Sequence, residues 1–282
     1  MQPKPETIIK LLKQAVIYFV LIAGVAVILY PFFMATILSL ETPSEIYHIP
    51  FVWFPKSLEF SNYPAVFTYI NFAQGLLNST FITVVSLIGS TLISAMAAYA
   101  LAKFRFAGRR LLFNIVLISL MIPSFLTLIP LYYLVYKLGL INTYLALILP
   151  YLGSSYSIFM LRQYILTIPD YLIDAARLDG ASELRIFYKI ILPMSIPAIA
   201  VVAFWNFTTF WNDFLWPLLV LETPNLFTVQ LDLSFLQGFE ATGTNVAGAL
   251  MAASMMTIIP AFLVYLIGQS RMKKMGLGGF RG

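Results

Sequence analysis

Cysteine is missing from the 282 residues, and histidine occurs once, as His48. Without thiols there are no disulfides, no thiolate metal ligands and no cysteine nucleophile. A single imidazole cannot furnish a histidine-rich metal site, and the aromatic-rich stretch around His48 marks it as a surface or packing residue. Charge is scarce as well: 10% of residues are charged against 60% hydrophobic, and mean hydropathy is +0.88. Soluble domains run to roughly a quarter charged residues, so an ordinary water-soluble enzyme is excluded. A phosphate-gripping loop, G-x-x-x-x-G-K-[ST], is also missing. The only lysine followed by Ser or Thr is Lys56, and Pro55 stands where the glycine should be. The many Ser and Thr hydroxyls have no histidine or membrane lysine to activate them. No catalytic residue, metal site or bound cofactor is therefore expected of this chain.

Long apolar runs dominate what remains. Six stretches, roughly 14–38, 76–101, 111–133, 144–160, 196–220 and 247–267, approach the ~20 residues that a helix needs to cross ~30 Å of hydrocarbon. The fourth is the shortest, and Pro123 and Pro130 are expected to kink the third. In lipid every backbone N–H and C=O needs an internal partner, and runs this long favour helices over a barrel. The first run is longer than the apolar region of a signal peptide, with no small-x-small cleavage site after it, so it is read as an uncleaved helix.

The net charge of +5 is distributed by connection. The N-terminal tail, the second-to-third connection (Lys103, Arg105, Arg109, Arg110), the fourth-to-fifth (Arg162, Arg177, Arg185, Lys189) and the C-terminal tail together hold 15 of the 17 basic residues. The alternate connections hold only Lys56 and Lys137, alongside Glu41, Glu45, Glu59, Glu222, Asp232 and Glu240. That alternation is what the positive-inside rule requires of six crossings with both termini in the cytoplasm. It leaves membrane lipid as a partner and no role for nucleic acid. The expected fold is all-α: a polytopic membrane protein with six transmembrane helices, one domain over residues 1–282 with its core at about 75–270.

The segment 169–193 stands out among the basic connections. Pro169-Asp170 resembles a helix start, with Asp170 and Asp174 near the positive end of the dipole. A short helix is expected over 171–179, a left-handed stop at Gly180 and a second helix capped by Ser182. The adjacent small residues Ala175 and Ala176 would let another surface approach the backbone, with Asp174, Arg177 and Asp179 as a charged rim. A solvated amphipathic connector would show the same local pattern.

The string Asp174-Ala175-Ala176, Gly180, Ile190 and Leu192-Pro193 keeps every spacing of the EAA motif and resembles the permease subunits of ATP-binding-cassette importers. Asp174 stands where that family usually has Glu, keeping the charge at one methylene's shorter reach. Asn78-Ser79, the run Ala98-Tyr99-Ala100-Leu101-Ala102-Lys103-Phe104-Arg105-Phe106, Trp211-Asn212-Asp213-Phe214 and the closing stretch from Gly276 to Gly282 are similar to the sugar-type permeases in particular. The resemblance implies a type I importer permease fold. It also implies that Asp174, Ala175, Ala176, Asp179 and Gly180 form a coupling helix seated in a cytoplasmic ATPase. The implied partners are two such ATPase subunits, a second permease (a different chain, by the sugar-type likeness), an external solute-binding protein and a carbohydrate substrate.

Polar residues at bilayer depth usually face the bundle interior or a water-filled path. Asn206, Thr209 and Asp213 are spaced to share one helical face, with Asn212 and several aromatics beside them. They and Asn78 are candidates for the substrate pathway, since aromatic faces stack on sugar C–H while polar groups meet the hydroxyls. Bonding to neighbouring helices is the alternative for both groups, and Met251, Met255 and Met256 read as packing. The outer stretch with Gln230, Asp232, Gln237 and Glu240 resembles the one that faces the binding protein. A permease for a polyamine, phosphate or amino acid, or an ion-driven secondary transporter, remains open on sequence grounds.

Overall fold

The computed structural model describes residues 5–50 and 52–278, and every regular element among them is helical. Lys4 and the closing Gly279-Phe280-Arg281-Gly282 lie outside the described residues. The principal helices are α1 (Pro5–Leu38), α2 (Phe72–Lys103), α3 (Arg109–Met121), α4 (Leu128–Lys137), α5 (Tyr144–Tyr151), α6 (Ser155–Leu166) and α7 (Asp170–Leu178). They continue with α8 (Glu183–Ile186), α9 (Ile196–Trp211), α10 (Leu215–Val220), α11 (Val229–Ala241) and α12 (Ala247–Gly278). Four stretches are long and apolar enough to cross a membrane: Leu12–Leu38, Phe72–Lys103, Tyr144–Leu166 and Ala247–Ser270. Two bent pairs raise the number to six if each is one crossing. They are α3 with Ser124–Lys137, at 105°, and Glu183–Met194 with α9, at 79°.

The first of these bends has a local cause. Ile122, ahead of Pro123, takes ψ 118, the extended backbone that a following proline imposes. Pro130 falls in the first turn of α4, where its missing N–H removes no helical bond. The fourth stretch runs to Leu166, past the 160 expected from sequence, with a break between α5 and α6 just after Pro150.

The chain forms two compact units: residues up to 70 with 233–256, and residues 71–232 with 257 onward. In the first, Asn62 donates its amide to the carbonyls of Ser39 and Glu41, tying the short helix Asn62–Tyr69 to the end of α1. The apolar side chains of α1 from Leu12 to Phe33 are exposed, as suits a helix in hydrocarbon.

The second unit is built around α2, which packs on α5, α6 and α9. Ser86, Ser90, Ser94, Ala98 and Ala102 recur every four residues along it, and all are buried. Lipid tails are as apolar as Leu, so helices in a bilayer associate through close backbone approach and van der Waals contact. This small-residue stripe lets Leu161 and Ile165 of α6 reach α2. They join a core with Tyr99, Ile173, Ile186, Phe187, Ile191 and Val202.

Candidate functional site

Segment 169–193 folds as two short helices around a sharp turn. Helix α7 begins one residue earlier than expected, with Asp170 in its first turn, and ends at Leu178. Gly180 has φ 77, the left-handed conformation that glycine adopts at no steric cost. The N–H of Gly180 reaches the carbonyl of Arg177, and that of Ala181 reaches Ala176, the bond pair of a Schellman stop. Ser182 then caps α8, its hydroxyl accepting from the N–H of Arg185 at 3.4 Å. The chain continues as a π-helix over Phe187–Ile191 before Leu192–Met194 and α9.

This segment is tied firmly to the end of α2. Lys103 Nζ donates to the carbonyl of Ile168 and to Asp170 Oδ1, both at 2.6 Å. The bond from Lys103 and its charge hold the Asp170 carboxyl below the usual carboxylate range. Arg177 bridges the two short helices, 3.2 Å to Asp174 Oδ1 and 2.7 Å to Glu183 Oε1. The other oxygen of Glu183 accepts from the Tyr99 hydroxyl at 2.8 Å, and the Tyr99 ring packs between Phe104 and Phe187. A continuous polar chain thus runs from Asp174 through Arg177 and Glu183 to α2. Tyr99 and Glu183 were not singled out in the sequence for this role; only their positions in a common fold bring them together.

Ile173 is buried and Ala176 leans on the core, so the small size of Ala176 serves the chain's own packing. Ala175 faces outward, together with Tyr171 at 68% and Leu178 at 89% exposure. These three are spaced i, i+4, i+7 and make an apolar ridge, with Asp174 and Asp179 exposed beside it. The spacing of Tyr171 and Leu178 was the sequence signal that could have found them.

The polar residues of the membrane helices separate into two groups. Asn206 is buried among Ser90, Ser154 and Ser157, donating to Ser157 Oγ at 2.9 Å. Asn78 is buried with every polar atom engaged: its amide reaches the carbonyls of Asn225 and Phe227, and its oxygen accepts from Gln74 and Tyr144. Both hold elements together. Thr209, by contrast, lines a cavity of about 530 Å³ with Tyr151, Ser154, Tyr156, Phe210 and residues of the α3–α4 bend. Tyr151 and Phe210 stack at 4.4 Å between centroids, and the Tyr151 hydroxyl donates to Asp213.

Asp213 does not share the helical face of Asn206 and Thr209, because α9 ends at Trp211. In the break that follows, its other oxygen accepts from the N–H of Trp216, as a capping residue would. Asn212 is exposed, 3.5 Å from the Gln230 amide. In the stretch 222–246 Gln237 is exposed, whereas Asp232 is buried against Gly75, where any Cβ would overlap its carboxylate. Burial pushes the Asp232 carboxyl up to about 7. Among the described residues no cluster of His, Asp or Glu could hold a metal ion.

Apolar helices long enough to cross a membrane thus pack along a small-residue seam, and an exposed helical turn is lashed to α2. Residues 89–273 match the family described as binding-protein-dependent transport system inner membrane component, and the chain belongs to that family. It is a multi-pass protein of the inner membrane. It is 38% identical to the arabinooligosaccharides transport system permease protein AraQ of Halalkalibacterium halodurans, over 89% of each chain. The diacetylchitobiose uptake system permease protein NgcG of Streptomyces coelicolor is 34% identical, over 91% of this chain and 85% of that one. The sn-glycerol-3-phosphate transport system permease protein UgpE of Escherichia coli is 32% identical, over 88% and 90%. In fold, the chain matches a solved bacterial ABC transporter involved in import of the acidic polysaccharide alginate, with a TM-score of 0.80 at 23% identity, over 96% of this chain and 98% of that one.

Proposed function

We propose that this permease forms half of the path for a neutral sugar or oligosaccharide delivered by an external binding protein. Six crossings with both termini inside would put segment 169–193 in the cytoplasm. There it would dock on one of two separate ATPase subunits, opposite a second, different permease chain. ATP would be used by those subunits and not by this chain, which would bind no cofactor. The observation that carries the coupling role is the exposed ridge of Tyr171, Ala175 and Leu178, outside the apolar spans and lashed to α2 through Arg177 and Glu183. A rigid element can pass a motor's closure to membrane helices as rigid-body motion. Asp174, Ala175, Asp179 and Gly180 belong to that docking surface, with Ala176 supporting it from behind.

For the substrate, the support is the cavity beside Thr209. Its lining holds stacked aromatics and hydroxyls but no Lys or Arg, and Asp213 stands one hydrogen bond behind Tyr151. That environment suits a neutral polyol and disfavours a phosphate ester, the second reading suggested by the similarity to UgpE. Thr209 would meet the solute directly and Asp213 would act on it through Tyr151, with Asn212 outside the cavity lining, while Asn206 and Asn78 fix the helices around it. The test is ATP hydrolysis by the reconstituted importer with its binding protein. Neutral oligosaccharides should stimulate it, with stimulation reduced by Phe210→Ala. Stimulation by glycerol phosphate alone would overturn the substrate assignment, and uptake without any ATPase subunit would overturn the coupling role.

A further inference from the structure

We propose that a groove between α3, α6 and the connection that follows α2 is a binding site for the phosphate headgroup of an anionic phospholipid. The groove, of about 750 Å³, is lined along α3 by Arg109, Arg110, Leu111, Phe113, Asn114 and Leu117, with Arg162 of α6 over the Phe113 ring. Three guanidinium groups thus border one hollow. Among the described residues the only ion pairs involve Lys103 and Arg177, so no carboxylate neutralises any of the three.

Two of these cations are held close together. Arg109 Nε and Arg162 Nε both donate to the carbonyl of Leu101, at 2.9 and 3.1 Å. Arg109 spends its remaining nitrogens on the carbonyls of Ala102 and Phe104. Arg162 is clamped over the Phe113 ring at 3.8 Å, and its two terminal nitrogens meet no acceptor among the described residues. Arg110 is exposed and makes no hydrogen bond there. Like charges converging on one oxygen repel, and an anion between them would relieve the repulsion. A planar guanidinium fork with free N–H groups matches phosphate oxygens.

The shape of the groove selects the source of that phosphate. From Arg110 to Leu117 is seven residues, about 10 Å along a helix, and over that length the lining passes from Arg109 and Arg110, through Phe113 beneath Arg162 and the amide of Asn114, to apolar Leu117. Leu111, Leu112, Ile115 and Ile118 on the same helix are exposed, as expected of a surface in contact with acyl chains. A free anion would use only the charged end. An amphiphile lying along the bilayer normal uses both, and basic pockets between helices at the inner face are where anionic headgroups bind.

The proposal rests on the inward orientation of the second-to-third connection, and that can be tested separately. A single Arg110→Cys variant, with no other cysteine in the chain, should react with an impermeant maleimide only from the inside; labelling from outside would refute the orientation. For the site, the assembled importer is titrated with phosphatidylglycerol in phosphatidylcholine nanodiscs, and retained lipid is measured by native mass spectrometry. We expect saturable retention of phosphatidylglycerol, weakened roughly fivefold by Arg110→Gln and further by Arg162→Gln. Arg110 makes no internal bond, so its variant keeps the test independent of folding. Equal retention of both lipids, or no effect of either substitution, overturns the site. So does full competition by inorganic phosphate, which would mark a free-anion site. Loss of lipid on assembly with the ATPase subunits would mark the groove as a protein contact instead.

Discussion

Gly180 carries the sharpest residue-level expectation. A Cβ at this position meets nothing within 4 Å, so the effect of a substitution comes from φ 77 alone. An L-residue held in that conformation loses about 1–2 kcal/mol, and a β-branched one more. Gly180→Val should therefore abolish transport while membrane insertion persists, and Gly180→Asn should be tolerated, as uptake in whole cells would show. A second expectation concerns Asp232. Its carboxyl titrates near 7 when folded against 3.8 in its ordinary state, so the folded chain binds the extra proton. The corresponding stability is fully present below about 4 and is lost as pH rises through 7. Thermal unfolding of the purified chain should occur at higher temperature at pH 5.5 than at pH 8, and Asp232→Asn should flatten the difference. Gly75→Ala should destabilise at every pH, because its methyl would collide with that carboxylate. Neither Gly75 nor Asp232 is conspicuous in the sequence: they stand 157 positions apart, and only helix packing makes one the wall of the other's pocket.

At the scale of elements, the chain from α7 through Arg177 and Glu183 to Tyr99 fixes the exposed turn to α2. Tyr99→Phe removes a hydrogen bond to a carboxylate, about 1.5–3 kcal/mol. Glu183→Gln should weaken the same contact, so the double variant should lose less than the sum of the singles. In transport assays both should lower solute moved per ATP hydrolysed, with the ATPase subunits still attached. The place of α7 to within one residue at each end, the stop at Gly180 and the Ser182 cap were legible because each is set by one residue's local chemistry. The bend at Pro123 was legible for the same reason. The break after Trp211 was not, since no proline marks it. It arises where the Asp213 side chain captures the Trp216 N–H, an option that Asp always carries but exercises only in context. Likewise the candidate pathway residues looked equivalent as polar side chains among aromatics. Their partners on distant helices are what separate Asn206 and Asn78, fully engaged, from Thr209 at a cavity wall.

For the whole molecule, charge alternation and apolar length were readable because the bilayer imposes them on sequence directly, whereas the pairing of bent helices into crossings is a tertiary property. The absence of cysteine makes the topology simple to test. Single cysteines at Lys137 and Glu222 should react with impermeant reagents from outside, and those at Arg105 and Lys189 only from inside; any exchange between the two sets would refute six crossings. The π-helix at Phe187–Ile191 has a consequence of its own. In a regular helix Ile186 and Ile191 would point about 140° apart, yet both are buried; the widened turn brings them to one side. The last part of the interval between Gly180 and Leu192-Pro193 is thus measured in oversized coils. A relative that dropped one residue there would have to rephase everything downstream, so evolution can vary the letters of this stretch more freely than its length.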